Sequence, residues 1–365
     1  MRIAGRAYRA VWPTADGDAI EAIDQTLLPH RFATRRIDSL EGAAEAITTM
    51  VVRGAPLIGA TAAFGLALAL RRAADDVALK AGYRRLAATR PTAVNLRHAL
   101  DDVSAFVAPL PPRERAGAAW ARAEALCDED VALNRRIGEA GLPLIESLHR
   151  DLVRPVNILT HCNAGWLATV DWGTATAPIY MAHDRGVPLR VFVDETRPRN
   201  QGAALTAFEL GEHGVPYTVI VDNAGGHLMQ RGQIDLVIVG ADRVTARGDA
   251  ANKIGTYLKA LAARANGVPF YVAVPAPTFD WTISDGLAEI PIEERSAEEV
   301  THVVGRLDDG RVARVAVTPP GAEAINPAFD VTPAELIDGF VTDRGIVAAE
   351  AAALARVFGR GPTSA

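Results

Sequence analysis

The sequence predicts an α/β fold in two parts: a mainly helical N-terminal domain over residues 1–150, preceded by short strands, and a parallel-sheet domain over 151–358. Three observations predict it. From about residue 39 to 147, apolar residues recur at helical spacing, with Pro, Gly and Asp between the runs. Beyond 150, short apolar runs at 156–159, 189–193, 217–221, 236–239 and 270–274 alternate with helical stretches. That alternation marks βαβ units and a parallel sheet covered on both faces, a Rossmann-like arrangement. Finally, these runs end in polar or turn-forming groups such as His161-Cys162, Asp194-Glu195-Thr196-Arg197, Asp222-Asn223 and Ala241-Asp242-Arg243. In an open parallel sheet, ligands bind outside the carboxyl ends of the strands.

In order along the chain, residues 1–35 hold short strands near 6–12 and 19–23, then a turn at Leu28-Pro29-His30. Ser39 is placed to cap a first helix, and helices are expected over 55–70, 75–89, 92–107 and 112–140. Between the β runs, helices are expected over 174–184, 203–213, 224–230 and 253–265. Residues 359–365 read as a flexible tail.

Bulk properties narrow the function. At 365 residues the chain is long for one core. The net charge is −6 and Lys and Arg are dispersed, so no nucleic-acid partner is expected. The longest apolar run, 55–70, contains Gly59 and Gly65 and falls short of the roughly 20 residues a bilayer needs. No membrane association is expected, and with no apolar signal core near Met1 the expected location is cytoplasmic. The cysteines are Cys127 and Cys162, read as free thiols. His161 and Cys162 are adjacent, which is poor geometry for two ligands on one metal, so no metal is expected. No glycine-rich nucleotide loop follows the first strand, no Walker-type Gly-Lys-Ser/Thr occurs, and no Gly-x-Ser-x-Gly elbow is present. The expectation is a cofactor-free cleft that works through side chains.

Several residues are candidates for that chemistry. Cys162 is either a buried thiol packing as a small hydrophobe, or a base or transition-state stabiliser tuned by a nearby cation. Asp242 either pairs with Arg243 or caps a turn, or is a buried acid held protonated near neutral pH. Asn252-Lys253 reads as the opening of a helix, where Lys is less usual than an acid; a phosphate or hydroxyl clamp is the alternative to a surface Lys. Arg53-Gly54-Ala55-Pro56 and Arg90-Pro91-Thr92 each stand at a helix start, where free backbone N–H groups attract anions; ordinary helix-entry chemistry is the other reading. Gln201 opens a helix after the second β run and can reach the same ligand. His161 is read as structural. A thiol, a carboxyl and several bases suit a proton or hydride shift on a small phosphorylated molecule.

With those residues in view, the chain resembles the methylthioribose-1-phosphate isomerases of methionine salvage. The matches span nearly the whole length. They are Val52-Arg53-Gly54-Ala55-Pro56-Leu57-Ile58-Gly59, Arg90-Pro91-Thr92-Ala93-Val94-Asn95-Leu96, Thr160-His161-Cys162-Asn163-Ala164-Gly165, Asp194-Glu195-Thr196-Arg197-Pro198 with Gln201-Gly202-Ala203, Gly240-Ala241-Asp242-Arg243, Gly248-Asp249 with Asn252-Lys253-Ile254-Gly255-Thr256-Tyr257, and Asn326-Pro327-Ala328-Phe329-Asp330-Val331-Thr332-Pro333. The resemblance implies cofactor-free isomerisation of 5-methylthio-α-D-ribose 1-phosphate to 5-methylthio-D-ribulose 1-phosphate. It implies Asp242 as the acid that opens the ring and Cys162 as base or stabiliser of the transfer between carbons. Arg53, Gly54, Ala55, Arg90, Gln201, Asn252 and Lys253 fall on the family's substrate-contacting positions. A homodimer is also implied. Departures at Gly173-Thr174-Ala175-Thr176-Ala177-Pro178, at Pro275-Ala276-Pro277-Thr278-Phe279-Asp280 and at His98 leave a 5-deoxyribose 1-phosphate substrate open. The same superfamily holds regulatory subunits of a translation initiation exchange factor and ribose 1,5-bisphosphate isomerases. The latter would want a second basic cluster, and none is evident.

Overall fold

The computed structural model describes residues 1–90 and 93–359. Pro91 and Thr92 of the second anion motif, and 360–365 of the expected tail, lie outside the described residues. Short strands open the chain. Arg2–Ile3 and Arg6–Ala7 pair, and Val11–Pro13, Ile20–Ile23 and Thr34–Ile37 form a three-stranded antiparallel sheet. Five helices follow at Leu40–Thr48, Ala55–Arg72, Asp76–Ala87, Val94–Val107 and Pro112–Asp151. Ser39 caps the first through the Gly42 N–H, as expected, and Asp75 caps the third through Ala78. The last helix runs 40 residues, past the predicted stop at 140 and through Pro143. It packs on Ala55–Arg72, where Phe64 meets Trp120 edge to face at 5.0 Å.

The main sheet has seven strands: β1 (Val156–Thr160), β2 (Leu189–Asp194), β3 (Tyr217–Ile220), β4 (Leu236–Val239), β5 (Phe270–Ala273), β6 (Gly339–Thr342) and β7 (Gly345–Val347). Their order across the sheet is β7-β6-β5-β4-β1-β2-β3. All neighbours are parallel except β6 and β7. The five predicted runs are β1 to β5; β6 and β7 were not anticipated.

Side chains alternate across this sheet. Ile158, Val191, Leu236, Ile238, Ala273 and Val341 join one buried cluster with the N-terminal helices. Leu159, Val237, Val239, Val272 and Phe340 join a second with helices Thr256–Asn266 and Ala351–Phe358. A smaller four-stranded sheet, ordered Phe279–Asp280, Arg243–Thr245, Ala250–Lys253 and Phe329–Thr332, stands beyond the carboxyl end of β4. Among the described residues, no helix is long and apolar enough to cross a membrane.

Candidate active site

The chain leaves β1, builds β2 and β3 on one side, then returns to place β4 on the other side of β1. At such a reversal the connections part and leave a crevice outside the carboxyl ends. Cys162 follows β1 by two residues and Asp242 follows β4 by three. The two strands are hydrogen-bonded neighbours, with Leu159 opposite Val237, so thiol and carboxyl follow adjacent strand ends, near enough for Asp242 to act on the thiol.

Cys162 has φ +65°, a left-handed conformation unusual for a residue with a side chain. Its N–H donates to Thr196 Oγ1 at 2.8 Å, and its carbonyl accepts from Thr206 Oγ1 at 2.7 Å. The turn is therefore pinned from the β2 side of the sheet. Burial pushes the thiol up, against the pull of Arg53 and Lys253. Asp242 is tied by its backbone N–H to Ala251 O at 2.9 Å, which joins it to the strand that ends in Asn252-Lys253. Ile58, Ile290, Pro291 and Phe329 share its small cavity with Gly54, Ala55 and Arg90. Burial raises the Asp242 carboxyl above the usual range, opposed by Lys253, Arg90 and Arg53.

Arg53 reaches this rim from the start of the helix Ala55–Arg72. Its two terminal nitrogens donate to Asn163 Oδ1 at 2.5 Å and to Asn163 O at 2.9 Å. The approach depends on Gly54, at φ +93°, where a Cβ would lie 2.4 Å from the Ala168 carbonyl oxygen. Arg90 lies 3.4 Å from Glu293. Lys253 donates to Ala328 O at 2.8 Å and stands 4.6 Å over the Phe329 ring. Burial lowers its ammonium, while Cys162 and Asp242 pull it back. Asn252 donates to Thr256 Oγ1 at 3.0 Å. Gln201 is buried beside a cleft of about 610 Å³ that Arg53 also lines, and its Oε1 has no hydrogen-bond partner among the described residues.

Gly54, Ala55 and Arg90 line one cavity with Asp242, while Gln201 lines another with Arg53. Asn252-Lys253 closes the strand Ala250–Lys253 rather than opening a helix, which begins at Thr256. The pairing of Lys253 with Phe329 explains this, because the segment is one rung of the small sheet. Arg243 lies 3.7 Å from Asp280. Sequence reasoning did not single out Asn163, Glu209 or Glu293. Asn163 was visible as the neighbour of Cys162; the two acids carry no local signal.

His161 joins β1 to the small sheet. Its Nδ1 lies 2.8 Å from Asp194 Oδ2 and its Nε2 lies 2.8 Å from Ile254 O. A carbonyl only accepts, so Nε2 bears a proton. His161, Asp194 and Asp222 offer ligand atoms within 4.8 Å of one another. The Lys259 ammonium sits 3.1 Å from Asp194 and donates to Asp222 O, filling the place a cation would take. This donor set does not fit a metal. Cys127 and Cys162 are both free and buried.

Fold and site together define a class. The Initiation factor 2 subunit family matches residues 51–349. A methylthioribose-1-phosphate isomerase from Methylorubrum extorquens is 61% identical over 358 residues, covering 98% of both chains. The crystal structure of 5-methylthioribose 1-phosphate isomerase from Pyrococcus horikoshii aligns with TM-score 0.83 and 39% identity, over 97% of this chain and 96% of that one. The translation initiation factor eIF-2B subunit delta from A. fulgidus aligns at 0.79 and 37%, over 97% and 100%. The chain belongs to the methylthioribose-1-phosphate isomerases within the Initiation factor 2 subunit family.

Proposed function

We propose that the protein isomerises 5-methylthio-α-D-ribose 1-phosphate to 5-methylthio-D-ribulose 1-phosphate in methionine salvage, with Asp242 and Cys162 as the catalytic pair. The observation that carries this reading is a half-buried acid and a buried thiol past neighbouring strand ends, both under the pull of Arg53 and Lys253, with Arg90 acting on the acid. Asp242 donates a proton to the ring oxygen. The C1–O bond breaks and leaves an electron-poor C1 that still bears the phosphate. Hydrogen then moves from C2 to C1, and the C2 hydroxyl loses its proton to become the ketone. Asp242, now a carboxylate, is available to take that proton.

Cys162 serves the transfer as a base for an enediol route or as a stabiliser of a direct hydride shift. Burial favours the protonated thiol, which supports the second role. Arg53, Gly54, Ala55, Arg90, Gln201, Asn252 and Lys253 hold the substrate, the cations meeting its phosphate. No cofactor takes part.

Purified protein given the 5-methylthio substrate, 5-deoxyribose 1-phosphate and ribose 1,5-bisphosphate in parallel tests the activity. We expect ketose from the first and also from the 5-deoxy sugar. No ketose from any of them overturns the proposal. Turnover in deuterium oxide separates the routes, because an exchanging enediol takes up label and a direct shift does not.

The same reading includes a Rossmann-like domain over 151–358, supported by the run β3-β2-β1-β4-β5-β6, and a mainly helical domain over 1–150. It includes a cytoplasmic location, and a homodimer. The edge strand β3 exposes Tyr217 and Val219, apolar surface open to a second copy. Light scattering during size exclusion tests the dimer; a monomer at micromolar concentration counts against it.

A further inference from the structure

Glu209 lies on the short helix Ala207–His213, wholly buried, and its carboxylate collects four donors. Oε1 accepts from Asn163 Nδ2 at 2.8 Å and Leu167 N at 2.9 Å; Oε2 accepts from Trp166 N and Tyr180 OH, each at 3.0 Å. The loop after Cys162 is wrapped around this one group. Gly165 permits it, since a Cβ there would stand 1.8 Å from Oε2.

The Asn163 amide is the branch point. Thr206 Oγ1 donates to the Cys162 carbonyl, so it accepts from Asn163 at 3.1 Å. Glu209 and Thr206 are both acceptors toward Asn163, so the group facing them is the NH2. The amide oxygen is thereby turned to Arg53. Together with the Asn163 carbonyl it holds two nitrogens of the guanidinium.

We propose that Glu209 is a positioning residue for Arg53: by taking the Asn163 amide nitrogen, it presents the amide oxygen that orients the guanidinium toward the substrate's anionic group. The inference rests on the reading of Arg53 as a substrate contact. A Gln at 209 cannot satisfy the same set. With its oxygen toward Asn163, its NH2 faces the Trp166 N–H. With the oxygen turned the other way, Asn163 flips and sets its own NH2 against Arg53.

The test is a double-mutant cycle on kcat and KM, since coupled residues depart from additivity. In the wild-type background Glu209→Gln is expected to lower kcat/KM by about 10- to 100-fold, the scale of losing a supporting hydrogen bond, mostly through KM. In an Arg53→Ala background it is expected to cost less than about 3-fold. Asn163→Ala, which cuts the arm and leaves Glu209 three donors, is expected to behave alike and serves if the Gln variant fails to fold. Tyr180→Phe removes a donor from the same carboxylate without touching that arm, and should leave KM within about 2-fold. Additive losses in both backgrounds, or a KM increase in Tyr180→Phe matching that of Glu209→Gln, overturn the inference alone. An Arg53→Ala variant with the wild-type KM overturns the substrate-contact reading and the inference with it.

Discussion

Asp242→Asn isolates the proton that opens the ring. Asn has nearly the same size and shape, and the backbone bond from residue 242 to Ala251 O does not depend on the side chain. Burial raises the carboxyl against Lys253, Arg90 and Arg53, and the amide keeps the polar contacts of the neutral acid without its transferable proton. The apolar walls, Ile58, Ile290 and Phe329, stay as they are. Substrate affinity should therefore hold, and the loss should fall on the chemical step. A positioned general acid is worth about 10²- to 10⁴-fold, or about 2.7–5.4 kcal/mol of barrier. The assay is steady-state ketose formation, with calorimetric substrate binding and circular dichroism on the same preparation. We expect kcat to fall by at least 10²-fold, with KM within about threefold of wild type. A kcat within about tenfold of wild type, with binding intact, would refute the assignment.

Other perturbations follow from the same groups. Cys162→Ala should lower kcat by about 10²-fold or more with the fold retained; near-normal kcat removes the thiol from the reaction. Lys253→Met removes the charge that most strongly opposes the rise of Asp242, so its carboxyl rises further. The rate needs the acid protonated, so the alkaline fall in kcat/KM should move to higher pH, as a pH–rate profile would reveal. Asp130 is half-buried in the long helix, and loss of water around its carboxyl pushes it up to about 7 from 3.8. Its folded form binds the proton more tightly than the unfolded chain, so stability is lost as pH rises from about 4 to about 7. Asp130→Asn can still accept from Val170 N and should gain stability over wild type as pH rises, with a ceiling of about 4 kcal/mol. Denaturant midpoints at pH 5 and 8 measure it; an equal difference at both would dismiss the idea.

The parts of this fold legible in sequence are those whose signal is local. Buried strands β1 to β5 read as apolar runs because both faces of the sheet are covered. Cys162 and Asp242 were visible as polar groups directly past two such runs. The long helix reads as ending at 140 because Gly138, Gly141 and Pro143 resemble a stop. In the fold a Cβ at Gly138 would meet Met181 and one at Gly141 would meet Pro178, so the glycines serve close packing on helix Ala177–Asp184. Lys253 reads as helical because Thr256–Asn266 begins three residues later, while its strand partner Phe329 is far off in the chain. The grip of Glu209 on the thiol loop and the contact of Glu293 with Arg90 are likewise made across the chain. No spacing rule announces a carboxylate whose partners lie on other elements.

The charge balance around Asp242 adds a consequence that joins binding to chemistry. In the free site, Lys253, Arg90 and Arg53 all pull its carboxyl toward ionisation, against burial. These are also the cations proposed to receive the substrate phosphate, which carries about −1.5 to −2 near neutral pH. Its arrival cancels their pull, and a nearby anion disfavours a second negative charge. The carboxyl must then rise further, so the substrate's own charge keeps the acid protonated when it is needed. The pH dependence of kcat/KM reports the free enzyme and that of kcat reports the complex. The alkaline fall in kcat should therefore lie at higher pH than the fall in kcat/KM. With the phosphate replaced by a neutral methyl ether the separation should vanish in direct binding of the acid form, followed by carboxyl infrared absorption. Coincident limbs, or a kcat limb at lower pH, would show that the phosphate sits away from Asp242 and that the cations do not link the two.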